Sequence, residues 1–151
     1  MNIRPFSVAD TEAVVALWRA CGLVRPWNDP YKDILRKLTT GAELFLVGER
    51  QAGVAQSAEI VASAMFGYEG HRGWLNYLAV APDHRRQGLA LRLMARGEQL
   101  LMARGCPKIS LLVRASNAGV AAMYEKLGYH PDDVVCLGKR LIPDTPACPP
   151  A

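Results

Sequence analysis

The sequence lacks the cysteine and histidine patterns of a metal centre. Its four cysteines are Cys21, Cys106, Cys136 and Cys148, and they include no C-x-x-C pair. No histidine stands beside them at metal-ligand spacing. We therefore expect reduced thiols and no metal site.

Long apolar runs are also absent. No window approaches the ~20 apolar residues that span a bilayer, and no apolar core of the signal-peptide type stands near the N-terminus. We therefore expect a cytoplasmic protein with no membrane partner.

The composition indicates one folded domain. Half of the 151 residues are hydrophobic and 21% are charged, which is typical of a globular chain and not of a disordered one. Because we find no internal repeat and no linker, we predict a single domain over residues 1–142. The Pro-rich residues 143–151 are expected to be a disordered tail.

The charge of the chain allows an anionic partner without requiring one. The formal net charge is +4, a value that many soluble domains carry with no such partner. Five arginines raise the alternative of nucleic-acid binding: Arg85, Arg86, Arg92, Arg96 and Arg104. However, Glu98 interrupts their helix face, and no aromatic platform is interleaved with them. We therefore expect no nucleic-acid partner.

Hydrophobic periodicity predicts seven strands and four helices. Strand-like segments cover residues 3–6, 43–50, 60–68, 74–81 and 108–114, a further extended segment that begins at Tyr129, and residues 134–142, with a connection over residues 51–57. Helical spacing is found between Ser7 and Gly22 and over residues 31–38, 89–104 and 117–127. The order predicts an α+β fold with a mixed sheet, in which residues 74–114 form a right-handed parallel crossover.

Residues 84–90, HRRQGLA, join a predicted strand to a predicted helix. A helix begins with free N–H groups and the positive end of its dipole, so such a junction can bind an anion. Gly88 has no Cβ to block close approach, and Ala90 keeps the next position small. Arg85 and Arg86 add charge for phosphate oxygens. The pattern favours a phosphate cradle, and a solvated turn is the alternative.

Two motifs resemble those of the GNAT family of N-acetyltransferases. The sequence LAVAP at residues 78–82, followed by RRQGLA at 85–90, is similar to the acetyl-CoA motif of that family. The segments LVRASN at 112–117 and MYEKLGY at 123–129 resemble the second motif, at the expected separation. The resemblance covers roughly residues 1–142. It implies a mixed, splayed β-sheet flanked by helices, with acetyl-CoA as co-substrate between the two parted strands.

The resemblance also implies which residues hold that co-substrate. Backbone groups of one strand pair with the pantetheine arm, N–H groups at the helix start hold the pyrophosphate, and an asparagine contacts or supports the pantetheine site. The implied cofactor-binding residues are Leu78, Ala79, Val80, Arg85, Arg86, Gln87, Gly88, Leu89, Ala90, Leu91 and Asn117.

Tyr124 is the predicted general acid. The resemblance puts it near the thioester sulfur, where a departing thiolate benefits from a proton donor. A phenol with a pKa of ~10 is protonated at neutral pH and can supply that proton. The alternatives are that Tyr124 is an ordinary core residue and that Asn117 is a helix N-cap.

At the position of the general base, the sequence differs from the branch of this family that acetylates the N-termini of ribosomal proteins. The glutamate that acts as base there corresponds to Leu112 here, and a leucine cannot accept a proton. Glu69, at the end of a predicted strand, is the candidate base, and its alternative is a solvated turn carboxylate. His71 is a weaker candidate, while Asn76 and Tyr77 could only position water.

The predicted acceptor-binding residues are Arg25, Trp27, Tyr68 and Tyr77. If Arg25 and Trp27 line one cleft with Tyr68 and Glu69, the acceptor combines a negative group with an apolar or flat part. Trp27 has the alternative of plugging the end of the core.

Two functions from different classes follow. The first is an N-acetyltransferase that moves an acetyl group from acetyl-CoA to a primary amine by direct attack in a ternary complex; the amine is a small molecule, a peptide N-terminus or a lysine. The second is an acyl-CoA-binding sensor or partner module that transfers little. Cys106 and Cys136 lack the surroundings of a nucleophile, so an acetyl-cysteine route is not expected. The protein is expected to be a monomer or homodimer.

Overall fold

The computed structural model describes residues 1–51 and 58–145. Most of the predicted connection at residues 51–57 therefore lies outside the described residues. So do residues 146–151 of the predicted tail, including Cys148. The three cysteines that are described, Cys21, Cys106 and Cys136, are free thiols.

The described chain forms five strands and four helices. The strands are β1 (Asn2–Pro5), β2 (Phe45–Gln51), β3 (Ala58–Tyr68), β4 (Gly73–Val80) and β5 (Ile109–Leu111). The helices are α1 (Thr11–Ala20), α2 (Pro30–Leu38), α3 (Leu89–Met102) and α4 (Ala118–Lys126). No helix among the described residues is long and apolar enough to cross a membrane.

The strands form one mixed sheet in the order β1-β2-β3-β4-β5. The first four are antiparallel neighbours, and β5 pairs with β4 in parallel. The connection from β4 through α3 to β5 is therefore the predicted parallel crossover, and the predicted α+β fold with a mixed sheet is confirmed.

Apolar side chains on the two faces of the sheet form two cores. Phe45 and Val47 of β2 pack with Trp18 of α1 on one face. Leu46, the residue between them, packs with Leu93 of α3 on the other face. The alternation follows from the period of two of a strand. Helices α1 and α2 thus cover one face, while α3 and α4 cover the other.

Local hydrogen bonds start the first two helices as their sequences indicate. The Asp10 carboxylate accepts a bond from the backbone N–H of Ser7 at 2.8 Å, which is one half of a capping box. The Asp29 carboxylate accepts from the N–H of Tyr31 at 2.9 Å and caps α2. Pro30 then occupies the first turn, where its missing N–H costs nothing.

The predicted strand over residues 134–142 is wrong. This segment runs without regular structure, and Val135, Leu137 and Leu141 are each more than 80% exposed. Alternating apolar residues form a strand only where a neighbouring backbone supplies hydrogen bonds and a face to bury. Within the described chain β5 spans three residues and pairs with β4, so no second partner extends the sheet.

The segment that follows packs against α2. Arg36 donates to the carboxylate of Asp144, which is 8% exposed. Lys32 donates to the carbonyl of Thr145 at 3.0 Å. These contacts hold residues 144 and 145 beside α2, although the sequence places them in the Pro-rich tail.

Candidate active site

Strands β4 and β5 separate halfway along β4. Their pairing covers Gly73 with Ile109, Trp74 with Ser110 and Leu75 with Leu111. Strand β4 continues to Val80, whereas β5 ends at Leu111. The sheet is therefore splayed, and the second half of β4 turns an open edge toward the gap.

The turn at the end of β4 contains two residues with positive φ, a feature that favours an anion cradle. Arg86 has a φ of 59° and Gly88 a φ of 73°, while Gln87 between them is not in the left-handed region. Alternating right- and left-handed residues aim successive N–H groups into a concave site for an anion. A left-handed arginine is strained, and such strain concentrates at functional sites.

Helix α3 begins directly after this turn, with Gly88 at its N-cap position. The Arg92 N–H donates to the Gly88 carbonyl at 3.1 Å. The N–H groups of Leu89, Ala90 and Leu91 precede that first helical bond and are directed out of the N-terminal end. A Cβ built on Gly88 would meet nothing within 4 Å, so the space in front of this helix end is open.

Side chains of the turn hold it in place. The Arg85 guanidinium donates to the Val80 carbonyl at 3.3 Å, and the Gln87 amide accepts from Arg50 at 3.0 Å. Arg86 is exposed at the apex. Both arginines are exposed, and Arg85 uses only its Nε–H in this contact.

The β4 residues implied for pantetheine binding lie at the open edge or beside it. Leu78 and Val80 belong to the core on the α3 side, whereas Ala79 is buried on the α1 side. Together with the open helix end, this arrangement fits a long ligand that carries a phosphate at one end. Acetyl-CoA, the co-substrate that the sequence motifs lead us to expect, has that shape.

A β-bulge interrupts β4 where it leaves β5. Ser63 pairs with Ala79 and Met65 pairs with Asn76, so Tyr77 and Leu78 face the single residue between them on β3. Tyr77 has a φ of 53°. Strand alternation would put Leu75 and Tyr77 on one face, but the bulge sends them to opposite faces.

The bulge directs Tyr77 into a polar network on the α1 face. The Tyr77 hydroxyl donates to the Asp33 carboxylate at 2.6 Å and accepts from the Asn28 amide at 2.9 Å. Its ring stacks on Trp18, with ring centroids 3.9 Å apart. Burial and the Asp33 carboxylate raise the pKa of Tyr77 well above its ordinary value, so this phenol stays protonated.

A cavity of about 570 Å³ opens beside this network. Its volume lies in the range of small-molecule sites. The lining comes from α2, from the turn before β2, from β3 and β4, and from the end of α3. It comprises Asp33, Arg36, Lys37, Thr40, Gly41, Glu43, Leu44, Met65, Gly67, Tyr68, Glu69, Trp74, Asn76, Tyr77 and Arg104.

Glu69 lines the cavity from the turn after β3. Both oxygens of its carboxylate accept from the backbone N–H of Arg72, at 2.9 and 3.0 Å. Desolvation acts to raise the pKa of Glu69, but the N–H donors and nearby His71 outweigh it, and the pKa lies below its ordinary value. Glu69 is thus ionised at neutral pH, and it is an exposed turn carboxylate that lines the cavity.

Tyr124 lies on α4 in the core on the α3 side and is 8% exposed. The same apolar cluster includes Leu78 of β4 and Leu111 of β5, the strands that separate. The ring meets Tyr129 edge to face at 5.6 Å. Burial raises the pKa of Tyr124 to about 12, so the phenol is protonated across the neutral range.

Asn117 and Leu112 lie on the segment between β5 and α4. Asn117 occupies the N-cap position of α4, but its side chain makes no capping hydrogen bond. The Asn117 amide is therefore free of that structural role. Leu112 is 71% exposed, and its apolar side chain offers no proton acceptor.

The four acceptor-binding candidates divide between two places. Tyr68 and Tyr77 line the cavity with Glu69. Trp27 lies in a separate hollow beside residues 140–145, and Arg25 lies in the same loop as Trp27.

Sequence reasoning missed the residues that α2 contributes. Asp33 and Lys37 face the cavity, and Asn28 completes the network around Tyr77. The available signal was the spacing of Asp33 and Lys37, which are four residues apart on one helix face. Only the packing of α2 against the sheet shows that this face borders β4.

Comparison with known proteins identifies the family of the chain. The family model described as acetyltransferase (GNAT) family matches residues 11–129. The chain belongs to the GNAT acetyltransferase family.

Individual relatives support the same assignment. An acetyltransferase of Pectobacterium atrosepticum is 54% identical over 144 residues, covering 95% of this chain and 98% of that protein. The chain is therefore an acetyltransferase.

Solved structures show the same fold. The ribosomal-protein-S18-alanine N-acetyltransferase of Escherichia coli has a TM-score of 0.64 and 27% identity, over 84% of this chain and 76% of that chain. A NatC complex bound to Gag peptide and CoA has a TM-score of 0.69 and 17% identity, over 83% and 82% of the two chains. The GNAT fold expected from the motifs is confirmed.

Proposed function

We propose that this protein transfers an acetyl group from acetyl-CoA to a primary amine by direct attack in a ternary complex. The observation that carries the proposal is that β4 borders two spaces, the gap beside β5 and the cavity. One part of β4 borders the gap left by β5, and Asn76 and Tyr77 of the same strand line the cavity. A thioester in the gap and an amine in the cavity would meet at the bulge.

Backbone groups hold the co-substrate in this proposal. The N–H groups from Arg86 to Leu91 donate to the pyrophosphate, helped by the positive end of the α3 dipole. The open edge of β4 at Leu78, Ala79 and Val80 pairs with the amide groups of the pantetheine arm, and Asn117 approaches from α4. Arg85 and Gln87 keep the turn in shape, and Leu89 and Ala90 bring the helix start close to the ligand.

Tyr124 supplies the proton that the leaving group needs. The amine nitrogen forms a bond to the acetyl carbon, the carbon–sulfur bond breaks, and the sulfur takes the phenolic proton. The raised pKa of Tyr124 keeps the phenol protonated until that moment. The alternative role as a core residue is compatible with its burial, so the hydroxyl and not the ring is what an experiment must remove.

Glu69 takes the proton that the attacking amine gives up. The carboxylate lines the cavity and is ionised at neutral pH, since its pKa is lowered. A weak base is sufficient if the amine arrives neutral, because the nitrogen becomes acidic as its bond to carbon forms. Tyr68 and Tyr77 line the path of that amine.

The test is acetyl transfer to a panel of primary amines. The panel contains small amines, peptides with free N-termini and peptides with lysine, and the readouts are thiol release and the mass of the N-acetylated product. Calorimetric binding of acetyl-CoA is measured in parallel. We expect saturable binding and transfer to at least one class of amine.

Two other outcomes would contradict the proposal. Tight acetyl-CoA binding with no transfer to any amine would indicate an acyl-CoA sensor. Failure to bind acetyl-CoA at all would remove the assigned role of the α3 cradle. Glu69→Gln, measured beside His71→Gln, then separates the two candidate bases by their effect on kcat.

A further inference from the structure

Lys37 contributes to the cavity a positive charge that has no carboxylate partner. It lies on the last turn of α2 and is half-buried. Its ammonium donates to the Thr40 carbonyl at 3.0 Å and packs against Gly41, where an added Cβ would lie 3.5 Å from Nζ. Within residues 1–51 and 58–145, no carboxylate oxygen lies within 4 Å of that nitrogen.

The other cations that line the cavity form salt bridges with carboxylates. Arg36 is paired with Asp33 and Asp144. Arg104 is paired with Glu43 at 2.9 Å. These pairs satisfy both partners, so neither arginine needs a ligand.

The carboxylates that line the cavity also accept hydrogen bonds from protein groups. Asp33 accepts from the hydroxyl of Tyr77 in addition to Arg36. Glu69 accepts from the N–H of Arg72. Among the cations that the structure describes around this cavity, Lys37 is the one with no carboxylate partner within 4 Å.

The surroundings of Lys37 disfavour its charge when no anion is present. Desolvation lowers the pKa of Lys37, and nearby Arg104 acts in the same direction against the opposing effect of Glu43. A partly desolvated ammonium is costly unless an opposite charge satisfies it. An anionic group in the cavity would remove this cost and gain a charge-assisted hydrogen bond.

Apolar side chains also line the cavity. Leu44, Met65 and Trp74 contribute to its lining, which reaches Asn76 and Tyr77 on β4. A ligand whose anion contacts Lys37 and whose amine lies at the bulge would therefore pass apolar surface between its two polar ends. The volume of about 570 Å³ suits a small molecule.

We propose that Lys37 is the anion-binding residue for the acceptor. The acceptor is then a small primary amine that carries a carboxylate or phosphate group at the far end of an apolar spacer. This inference rests on the proposed function, since it assumes that the amine acetylated by this protein occupies the cavity.

The test compares amines that differ only in the distal charge. The probes are ω-aminoalkanoates and ω-aminoalkyl phosphates of increasing chain length, each matched with an n-alkylamine of equal length. The proteins are wild type, Lys37→Met, Lys37→Arg and Lys32→Met. Lys32 is the control, because it lies on the same helix, donates to the Thr145 carbonyl and is outside the cavity lining.

We expect the wild type to prefer the anionic amine by about tenfold to hundredfold in kcat/KM, the range of one hydrogen bond to a charged group. Lys37→Met should lose this preference through KM, with kcat less affected. Lys37→Arg should keep part of it, and Lys32→Met should behave as wild type. The series with the higher kcat/KM, carboxylate or phosphate, then identifies the anionic group of the acceptor.

The possible failures are distinguishable. Transfer to amines with no preference for the anionic member, or an unchanged preference in Lys37→Met, would overturn the role of Lys37 and leave the proposed transferase intact. Transfer only to peptides would overturn the small acceptor. No transfer to any amine would overturn the proposed function. Calorimetric acetyl-CoA binding by each variant confirms that it is folded, and Lys37→Gln replaces the Met variant if that one is not.

Discussion

The hydroxyl of Tyr77 and the carboxylate of Asp33 form a 2.6 Å hydrogen bond that joins β4 to α2. Tyr77 lies at the bulge, with a φ of 53°, and Asp33 lies in the first turn of the helix. The bond therefore connects the strand that we assign to acetyl-CoA with the helix that walls the acceptor cavity. It also fixes the position of the bulge, because a strained backbone persists only where its surroundings hold it.

Replacing Tyr77 by Phe should destabilise the fold. A hydrogen bond to a charged group contributes about 1.5–3 kcal/mol, and the substitution removes it while the ring can still stack on Trp18. The measurement is urea unfolding. Tyr31→Phe is the control, because its hydroxyl bonds the exposed Glu12 and its loss should cost less than about 1 kcal/mol. Equal losses for the two variants would contradict this role of Asp33.

Replacing Tyr124 by Phe should lower kcat about 100-fold or more, the scale of one general acid. Acetyl-CoA affinity should change little, because the buried ring is retained. Since the pKa of Tyr124 is raised to about 12, the wild-type rate should show no loss from this group until the pH is well above 10.

Tyr129→Phe is the matched control for Tyr124→Phe. Tyr129 contacts the Tyr124 ring edge to face, and its hydroxyl donates to Glu98 at 2.8 Å. We expect its kcat to stay within about threefold of wild type, since no proton transfer depends on it. A full kcat in Tyr124→Phe with the true acceptor would remove the proposed acid.

Replacing Gly88 by Ala should weaken acetyl-CoA binding about tenfold or more. A left-handed residue with a Cβ costs about 1–2 kcal/mol, so we expect the free turn to relax out of the binding geometry, and the Cβ also enters the open space before α3. Gly105→Ala is the control. Gly105 has a φ of 74°, against 73° for Gly88, and a Cβ added there would also meet nothing within 4 Å, but it lies beyond the far end of α3. Calorimetry should show a loss of affinity at position 88 alone.

Arg86→Ala should weaken binding less than the change at Gly88, because backbone N–H groups are assigned most of the pyrophosphate contacts. The same calorimetric titration measures both variants. A larger loss for Arg86→Ala than for Gly88→Ala would indicate that the arginine side chain, and not the backbone, holds the phosphate.

Replacing Gly97 by Ala should destabilise the protein by about 1–3 kcal/mol, the usual cost of overpacking a core. A Cβ at this position would lie 2.1 Å from Cζ of Phe66, so α3 lies close against β3 only because residue 97 is glycine. Gly119→Ala on α4 is the control, since its Cβ would meet nothing within 4 Å. That variant should be stabilised by about 0.5–1 kcal/mol, the helix preference of alanine over glycine. The readout is the urea midpoint.

Replacing Asp10 by Asn should reduce stability in a pH-dependent way. The hydrogen bonds from Arg4 lower the pKa of Asp10 in the folded state, so the carboxylate stabilises the fold above its unfolded pKa of about 4 and loses that effect as the pH falls below it. The gap between Asp10→Asn and wild type should therefore be largest at neutral pH and shrink in acid. A gap that is constant with pH would contradict the pairing with Arg4.

Much of the fold was predictable because its signals are local. The period of apolar residues predicts strands near β2, β3 and β4 and helices near α1, α2 and α3, since burial of one face requires that spacing. The predicted strand at residues 134–142 was wrong because it depended on a contact that is not local. The segment has a strand-like sequence, but a strand also needs a partner backbone, and its own sequence cannot supply one.

The cofactor side of the site follows from contiguous residues, and the acceptor side does not. Residues 78–91 form a strand, a turn and a helix start in one continuous run, so their order alone predicts an anion site at the turn. The cavity instead joins Lys37, Glu69, Tyr77 and Arg104 from four separate parts of the chain. No local sequence pattern indicates that these parts of the chain lie close together in the fold.

The sequence by itself determined the order of strands and helices as far as α4, the glycine at the α3 start and the family motifs, because each depends on neighbouring residues and their period. The tertiary structure decided the rest. It moved Tyr77 to the face opposite Leu75 through the bulge and brought α2 over β4, which commits Asp33 to Tyr77 and leaves the Lys37 ammonium in the cavity. Those outcomes depend on side chains 40 or more residues apart, whose contacts arise only when the helices pack on the sheet.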